Sequence, residues 1–252
     1  GYLLALLPLT ALAVLRWQGW GRRLFAIATL GLAGSSIVLT YSRGGWVGLM
    51  VGMAVLILLL LLRSTREWPA LWRRLIPLLI LLLGTALLAI AVTKLEPIRT
   101  RVSSLLAGRG DSSNNFRINV WLASIEMIQD RPWIGIGPGN NAFNSIYPLY
   151  QQPKFNALST YSLPLEILVE TGIAGLLACL GLLQSSVRLG LQGLRIDDPA
   201  AGTALASLAA IAGLLGQGIA DTIFFRPEVQ IIGWFCLATL TSLPSDERTS
   251  QC

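Results

Sequence analysis

The sequence contains uncharged apolar runs that are longer than a soluble domain uses. Leu75 to Val92 is an 18-residue run without a charge, and Ala200 to Ala220 is a 21-residue one. At about 1.5 Å per residue, a helix of about 20 such residues crosses a hydrocarbon core of roughly 30 Å. The runs lack the two-residue alternation of a membrane β-barrel. The sequence therefore predicts an all-α polytopic membrane protein with about seven transmembrane helices.

The positions of the arginines predict how these helices are oriented. Short connections that are rich in arginine usually face the cytoplasm. The connections 16–23, 63–74 and 187–199 and the tail 244–252 are then cytoplasmic, while 41–45, 93–162 and 220–228 face the other side. This orientation makes the chain a multi-pass protein of the plasma (inner) membrane. The predicted spans are 2–15, 24–40, 46–62, 75–92, 163–186, 200–219 and 229–243.

These spans divide the chain into four predicted segments. Residues 1–92 hold four spans, the first of them truncated, and residues 163–243 hold three. Residues 93–162 form one large extracytoplasmic loop that carries amphipathic helices, and 244–252 form a disordered cytoplasmic tail. Because the chain begins at Gly1, inside an apolar run and without an initiator methionine, we interpret it as the C-terminal fragment of a longer protein.

The amino-acid composition excludes several kinds of metal-binding and catalytic site. The chain has no histidine, which excludes a histidine metal site or triad, and its three cysteines form no metal-like pair. We therefore predict no metal and no cofactor. The net charge of +6 is explained by the arginine-rich connections, so it does not indicate a nucleic-acid partner. Membrane lipid is the partner that the composition does indicate.

Arg43 stands out because 19 uncharged residues lie on either side of it. A guanidinium group within the membrane boundary is costly unless it faces protein, water or a counter-charge. One interpretation is a tight interfacial turn, Arg43-Gly44-Gly45, whose arginine extends to the lipid headgroups. The other is a fixed cation that lines a cavity and binds an anion, with the glycines allowing close backbone approach.

The segment 93–162 contains the stretch NNFRINVWLASIEMIQDRP, which has one apolar helical face. We expect Asn114 or Asn115 to cap this helix, Pro132 to close it, and the helix to lie on the bilayer. Arg117, near its start, is either a solvated surface charge or part of an anion site. The predicted apolar face consists of Ile118, Trp121, Leu122, Ile125 and Ile128.

A glycine-rich stretch, WIGIGPGNNAF, follows this helix. It does not follow a strand, so it fails the context of the dinucleotide-binding fingerprint. Its glycines either permit turns or expose backbone N–H groups that form an anion-binding nest. The candidate substrate-binding residues here are Gly135, Gly137, Gly139 and Asn140.

Glu166 and Glu170 lie one helical turn apart near the outer end of the span that begins at about Leu163. Two carboxylates on one face can act as acid and base. For Glu166 we favour a structural role at the helix N-terminus. Glu170 either pairs with an arginine from another span or takes part in chemistry.

Three sequence blocks, taken in order, resemble the O-antigen ligase and polymerase superfamily of bacterial membrane proteins. They run from about Leu39 to Leu177 and read LTYSRGGWVGLMVG, FRINVWLASIEMIQDRPWIGIGPGNNAF and YSLPLEILVETGIAGLL. More narrowly, GRGDSSNNFRINVW and the close of the third block resemble the cyanobacterial IctB subgroup. That subgroup is named for a suggested role in inorganic carbon (bicarbonate) accumulation.

The resemblance implies a lipid-linked-sugar transferase fold, in which the large loop covers a cavity for an undecaprenyl diphosphate glycan. It implies that Arg43 and Arg117 hold the diphosphate. Ligases carry a histidine, the proposed catalytic base, where this chain has Tyr161. A phenol is a poor base at neutral pH because its ordinary pKa is about 10. Tyr161 or Glu170 would have to replace the histidine.

Two functions follow from these observations. The first is a glycosyltransferase-like protein that binds a polyprenyl diphosphate-linked glycan and transfers the glycan while arginines stabilise the departing diphosphate. The second is a transporter or accessory subunit for uptake of a small anion such as bicarbonate, which the same arginines would bind.

Overall fold

The computed structural model describes residues 1–69, 108–196 and 198–243, with a few isolated positions between 70 and 107. Regular structure in these ranges is helical, as the apolar runs predict. Three short 3-10 helices occupy Gly108–Gly110, Tyr147–Leu149 and Ile223–Phe225. The described α-helices are α1 (Tyr2–Arg16), α2 (Trp20–Leu39), α3 (Arg43–Ser64), α4 (Ser112–Asp130), α5 (Asn140–Ile146), α6 (Leu163–Gln192), α7 (Pro199–Gly218) and α8 (Pro227–Thr241).

Four of the described helices, α2, α3, α6 and α7, are long and apolar enough to cross a membrane by length and composition. Helices α1 and α8 fall on the predicted spans 2–15 and 229–243, but each has only 15 residues. The predicted span 75–92 and the tail 244–252 lie outside the described residues, apart from isolated positions in 75–92. A helical membrane protein is therefore confirmed, whereas the number of seven spans stays a prediction.

The chain forms two compact units. Unit 1 consists of Gly1–Ser64, Gly181–Gly218 and Ile223–Cys252. Unit 2 consists of Thr65–Leu180 and Ile219–Thr222. Helix α6 contributes its residues up to Leu180 to unit 2 and the remainder to unit 1.

Unit 1 is built around α7, which packs against α1, α3 and α8. Small residues make the α3–α7 contact close. A Cβ atom added to Gly48 would lie 2.7 Å from the Gly213 carbonyl oxygen, and one added to Gly52 would lie 3.2 Å from the Ala209 carbonyl oxygen. Since lipid tails are as apolar as the helices, close van der Waals packing of this kind is what holds membrane helices together.

Two arginines of the predicted cytoplasmic connections are anchored within unit 1. Arg63 donates hydrogen bonds from Nη2 to the carbonyl oxygens of Ile196 (3.1 Å) and Asp198 (3.4 Å). Arg16 donates to the carbonyl oxygen of Pro199. These side chains therefore tie the ends of α1 and α3 to the connection before α7.

Unit 2 is organised by α4, which begins earlier than predicted. Asp111, rather than Asn114 or Asn115, caps the helix, because its Oδ1 accepts a hydrogen bond from the Asn114 N–H at 3.0 Å. The helix ends at Asp130, two residues before Pro132, as predicted. An aspartate at the N-cap is as good an acceptor as an asparagine. Because the helix begins at Ser112, Asn114 and Asn115 lie inside it, near its start.

The face of α4 that packs into unit 2 overlaps the predicted apolar face only in part, at Ile128. Small and medium-sized residues, Val120, Ala123 and Met127, are buried. Leu122 and Ile125, from the predicted face, are both 42% exposed. Helix α4 is therefore apolar on two sides. The side with Val120, Ala123 and Met127 packs against the core, and the side with Leu122 and Ile125 is exposed. Contact of the other face with the bilayer stays a prediction.

The predicted orientation has a direct test. In a cysteine-free background, single cysteines replacing Gln152 and Glu67, both exposed, report on 93–162 and on 63–74 respectively. We expect an impermeant maleimide to label Gln152→Cys in intact spheroplasts and Glu67→Cys only after lysis, because arginine-rich connections face the cytoplasm. The reverse pattern would contradict the orientation.

Candidate functional site

Helix α6 is interrupted at Gly172, within the ETG stretch. Gly172 has φ 65° and ψ −164°, a conformation that is essentially restricted to glycine. The interruption removes helical hydrogen bonds on both sides of this residue. In a candidate membrane span, backbone groups left without partners cost several kcal/mol each, so a helix break needs substitute partners.

The glycine-rich loop supplies those partners through its backbone. The N–H groups of Ile136 and Gly137 donate to the carbonyl oxygens of Val169 (2.8 Å) and Glu170 (3.0 Å). In the other direction, Ile173 N–H donates to the Pro132 carbonyl at 2.8 Å. A fourth bond runs from Ala174 N–H to the Trp133 carbonyl at 3.3 Å. Residues 132–137 and 169–174 therefore form one hydrogen-bonded segment, which we call the loop–helix lock.

Two glycines allow the lock to close. A Cβ atom on Gly135, which has φ 65°, would lie 2.5 Å from the Val169 carbonyl oxygen. A Cβ atom on Gly172 would lie 2.5 Å from the Trp133 carbonyl oxygen. Real Cβ atoms do not approach backbone this closely, so both positions require glycine for space as well as for conformation.

The lock also shows how the glycine N–H groups are used. Gly135 N–H donates to the Arg131 carbonyl at 3.2 Å, and Gly137 N–H donates to Glu170 as described. These two groups hold the loop in place, in agreement with a conformational role for the glycines. Asn140 is the first residue of α5. Direct substrate contact by the glycines or Asn140 stays a prediction.

Glu170 lies inside the lock with its side chain only 6% exposed. Its carboxylate is within hydrogen-bonding reach of the Gly139 backbone. Its Oε1 has no hydrogen-bond partner among the residues that the structure describes. No ion pair with an arginine is present for Glu170 in the described part of unit 2. A buried carboxylate oxygen of this kind is available to accept a proton or a hydrogen bond from a bound molecule.

Glu166, one turn earlier, is fully buried and holds a turn of the chain. Its Oε2 accepts hydrogen bonds from the Thr160 backbone N–H (2.7 Å) and the Thr160 hydroxyl (2.5 Å). Glu166 also lies in the first turn of α6, where negative charge is favoured. These contacts agree with the structural role that the sequence favoured for this residue.

The turn 159–162 places Tyr161 in a left-handed backbone conformation, with φ 53°. Hydrogen bonds hold the turn on several sides: Trp121 Nε1 donates to the Thr160 carbonyl at 3.0 Å, and the hydroxyls of Ser159 and Thr222 lie 2.8 Å apart. A left-handed non-glycine residue costs of order 1 kcal/mol and persists only where its surroundings fix it. Such residues concentrate at functional sites.

The ring of Tyr161 packs edge-on against Phe116, with ring centroids 5.6 Å apart and planes at 72°. Tyr161 is half-buried at the margin of the unit 2 core. It therefore lies beside the helix that carries Arg117, as an aromatic packing residue with surface access.

Arg117 extends along α4, where its Nη1 donates to the Ser113 hydroxyl at 3.2 Å. Its Nε is shielded from solvent and has no hydrogen-bond partner in the described ranges. A guanidinium group offers five donors and no acceptor, so the Nε–H of Arg117 is one donor that the described residues leave unsatisfied.

Arg43 is the first residue of α3, and the tight turn comes before it, not at Arg43-Gly44-Gly45 as one of the two interpretations had it. Tyr41 has φ 51°, and Ser42 caps the helix by accepting the Gly45 N–H at its hydroxyl (3.2 Å). Arg43 belongs to unit 1 and Arg117 to unit 2. Convergence of the two arginines on one ligand therefore stays a prediction.

The residues described above fall within a known protein family. The O-antigen ligase family (Wzy_C) matches residues 28–180, which is more than half of the chain and includes Arg43, Arg117, the lock and Tyr161. The chain belongs to the O-antigen ligase family. No curated protein matches the chain closely enough to count as a relative. Membership agrees with the membrane fold and indicates a function in membrane glycan processing.

Two residues near Tyr161 in this O-antigen ligase family member were missed by the sequence analysis. Thr160 binds Trp121 and Glu166, and Phe155 packs on Phe116, whose ring contacts Tyr161. Neither their residue types nor their positions in the sequence distinguish them from ordinary core residues. The i, i+4, i+8 spacing of Gly44, Gly48 and Gly52 is the one local signal that was available, since small residues at this spacing favour close helix packing.

Proposed function

We propose that this O-antigen ligase family protein binds a lipid-linked diphosphate glycan at the extracytoplasmic face through Arg43 and Arg117. The observation that carries the proposal is the Arg117 guanidinium, whose Nε is shielded and has no partner among the described residues. Charge-assisted hydrogen bonds to phosphate oxygens are the strongest that such a group forms. The family match supports a glycan-containing ligand over other anions.

The proposed chemistry is transfer of the glycan from its diphosphate. The acceptor hydroxyl oxygen forms a bond to the anomeric carbon, the carbon–oxygen bond to the diphosphate breaks, and the electron pair leaves with the diphosphate. The proton of the acceptor hydroxyl passes to Glu170, whose Oε1 is buried and has no partner among the described residues. Arg43 and Arg117 stabilise the negative charge on the departing diphosphate.

In this proposal Tyr161 occupies the position at which other ligases carry a histidine, but it does not act as the catalytic base. Its ring packs on Phe116, and its backbone is fixed by the turn 159–162. Glu170 is the better proton acceptor, because a carboxylate is a base at neutral pH and an ordinary phenol is not. Tyr161 then serves to shape the site.

The test is a lipid-extract pull-down with mass spectrometry on the full-length protein. We expect enrichment of a polyprenyl diphosphate glycan, and about tenfold less of it with Arg117→Lys or Arg43→Lys, since a lysine cannot form a bidentate pair with phosphate. Arg131→Lys, at an exposed arginine just after α4, is the matched control and should bind normally.

The opposite result is equally specific. If no glycan lipid is enriched and the full-length protein in proteoliposomes supports bicarbonate-dependent flux, the proposal is wrong. The small-anion function of the cyanobacterial IctB subgroup would then be the better assignment. Normal glycan binding by both lysine variants would instead remove the two arginines from the proposed site.

A further inference from the structure

Three half-buried aromatic rings meet near the start of α4. Phe116, the residue before Arg117 on α4, contacts Tyr161 edge-on at a centroid distance of 5.6 Å. It also contacts Phe155, at 6.2 Å and with the ring planes at 43°. The three rings come from α4, from the segment before Tyr161, and from the turn 159–162. We call this group the ring cluster.

The ring cluster is held in place by the protein itself. Tyr147 donates a hydrogen bond from its hydroxyl to the Phe155 carbonyl at 2.7 Å, which fixes the backbone that carries the Phe155 ring. Burial, with a smaller contribution from Tyr161, raises the pKa of Tyr147, so this donor stays protonated at neutral pH. Tyr161 is fixed by its turn. The rings are therefore positioned before any ligand arrives.

The cluster differs from the aromatic pair that fills the core of unit 2. Phe143 and Tyr147 are 0% and 2% exposed, and their rings stack at 5.0 Å with planes 16° apart. Phe116, Phe155 and Tyr161 lie at the margin of that core, tilted to each other and partly accessible to solvent. The turn that carries Tyr161 also lies against the face of α4 that holds Arg117, because Trp121, one helical turn after Arg117, donates to the Thr160 carbonyl. Specific ligand sites combine apolar or aromatic surface with a few fixed polar groups in this way.

We propose that the ring cluster is the subsite for the sugar next to the diphosphate, an inference that rests on the proposed function. A sugar ring has an apolar face of C–H groups and a polar rim of hydroxyls. The faces of aromatic rings carry negative potential and attract polarised C–H groups. With the diphosphate on Arg117, the first sugar lies against the ring cluster, because the turn 159–162 packs on this part of α4. Phe116, Phe155 and Tyr161 then contribute to selection of the glycan.

The ring cluster could instead contact the prenyl chain, which is the other apolar part of such a ligand. Two probe lipids distinguish contact with the sugar from contact with the prenyl chain. One probe is a polyprenyl diphosphate that carries a sugar, and the other is the same polyprenyl diphosphate without it. Binding of each is measured on the full-length protein in detergent, for wild type, Phe155→Leu and Phe116→Leu. Leucine keeps the apolar character and removes the ring. Thermal unfolding of each variant shows whether its fold is intact.

We expect Phe155→Leu to weaken binding of the sugar-bearing probe about three- to tenfold, the range for an aromatic contact, and to leave the sugar-free probe unchanged. Trp133→Leu is the matched control, since Trp133 is an aromatic residue of the same unit that is 71% exposed and lies outside the cluster. It should bind both probes as wild type does.

Three outcomes would overturn the inference. Equal weakening for both probes would assign the cluster to the prenyl chain. No weakening in folded Phe155→Leu and Phe116→Leu would show that the rings do not contact the ligand, while the proposed function would stand. Failure of the wild type to bind either probe would overturn the proposed function together with the inference.

Discussion

Gly172→Ala is expected to destabilise the protein by about 3 kcal/mol or more. Alanine strongly disfavours the observed φ of 65° with ψ −164°, and this strain alone costs of order 1–3 kcal/mol. The added Cβ would also lie 2.5 Å from the Trp133 carbonyl oxygen, so the loop must move and its hydrogen bonds to α6 are lost. Thermal unfolding of the detergent-purified protein, followed by tryptophan fluorescence, measures the effect.

Gly181→Ala is the control for this experiment. It lies in the same helix, and a Cβ atom there meets nothing within 4 Å. Alanine is a better helix former than glycine by roughly 0.5–1 kcal/mol, so this variant should be as stable as wild type or slightly more stable. Similar melting temperatures for Gly172→Ala and Gly181→Ala would show that α6 does not need the break.

Gly48→Leu is expected to separate α3 from α7 and to cost about 3 kcal/mol. Even a Cβ at this position would lie 2.7 Å from the Gly213 carbonyl oxygen, 2.8 Å from the Leu4 side chain and 3.1 Å from Gln217. Overpacking of a tight core costs about 1–3 kcal/mol, and backbone on the facing helix cannot rotate away as a side chain does. The measurement is the melting temperature in detergent, together with the yield of monodisperse protein.

Gly31→Leu provides the comparison within unit 1. Gly31 is exposed on α2, and a Cβ atom there meets nothing within 4 Å. The larger side chain therefore has room, and the melting temperature should stay near that of wild type. If Gly48→Leu is as stable as Gly31→Leu, small residues do not determine the α3–α7 contact.

The helices of this protein were largely predictable because apolar runs constrain a chain strongly in a membrane. The runs at 24–40, 46–62 and 200–219 became α2, α3 and α7 with ends shifted by a few residues. The start of α4 was predicted three or four residues late, since Asp111, Asn114 and Asn115 are all good caps and the sequence does not say which one is used.

The candidate site was predictable only in part. Arg43, Arg117, Glu170 and Tyr161 were selected by residue type and by resemblance, and their roles stay predictions. The break at Gly172 was not predicted, because helix propensity near ETG does not show that a loop about 36 positions earlier replaces the missing hydrogen bonds. The ring cluster also depends on contacts between distant segments, for which single-sequence periodicity gives no signal.

The loop–helix lock has a consequence for how this sequence can change over time. Its bonds are made by backbone groups, so they place little restriction on which side chain occupies positions 133 and 134. They do restrict the count of residues, because one inserted or deleted position between Pro132 and Gly137 would move every donor away from its acceptor. Trp133 and Ile134, which are 71% and 78% exposed, can therefore diverge freely while the number of residues between Pro132 and Gly137 is held constant.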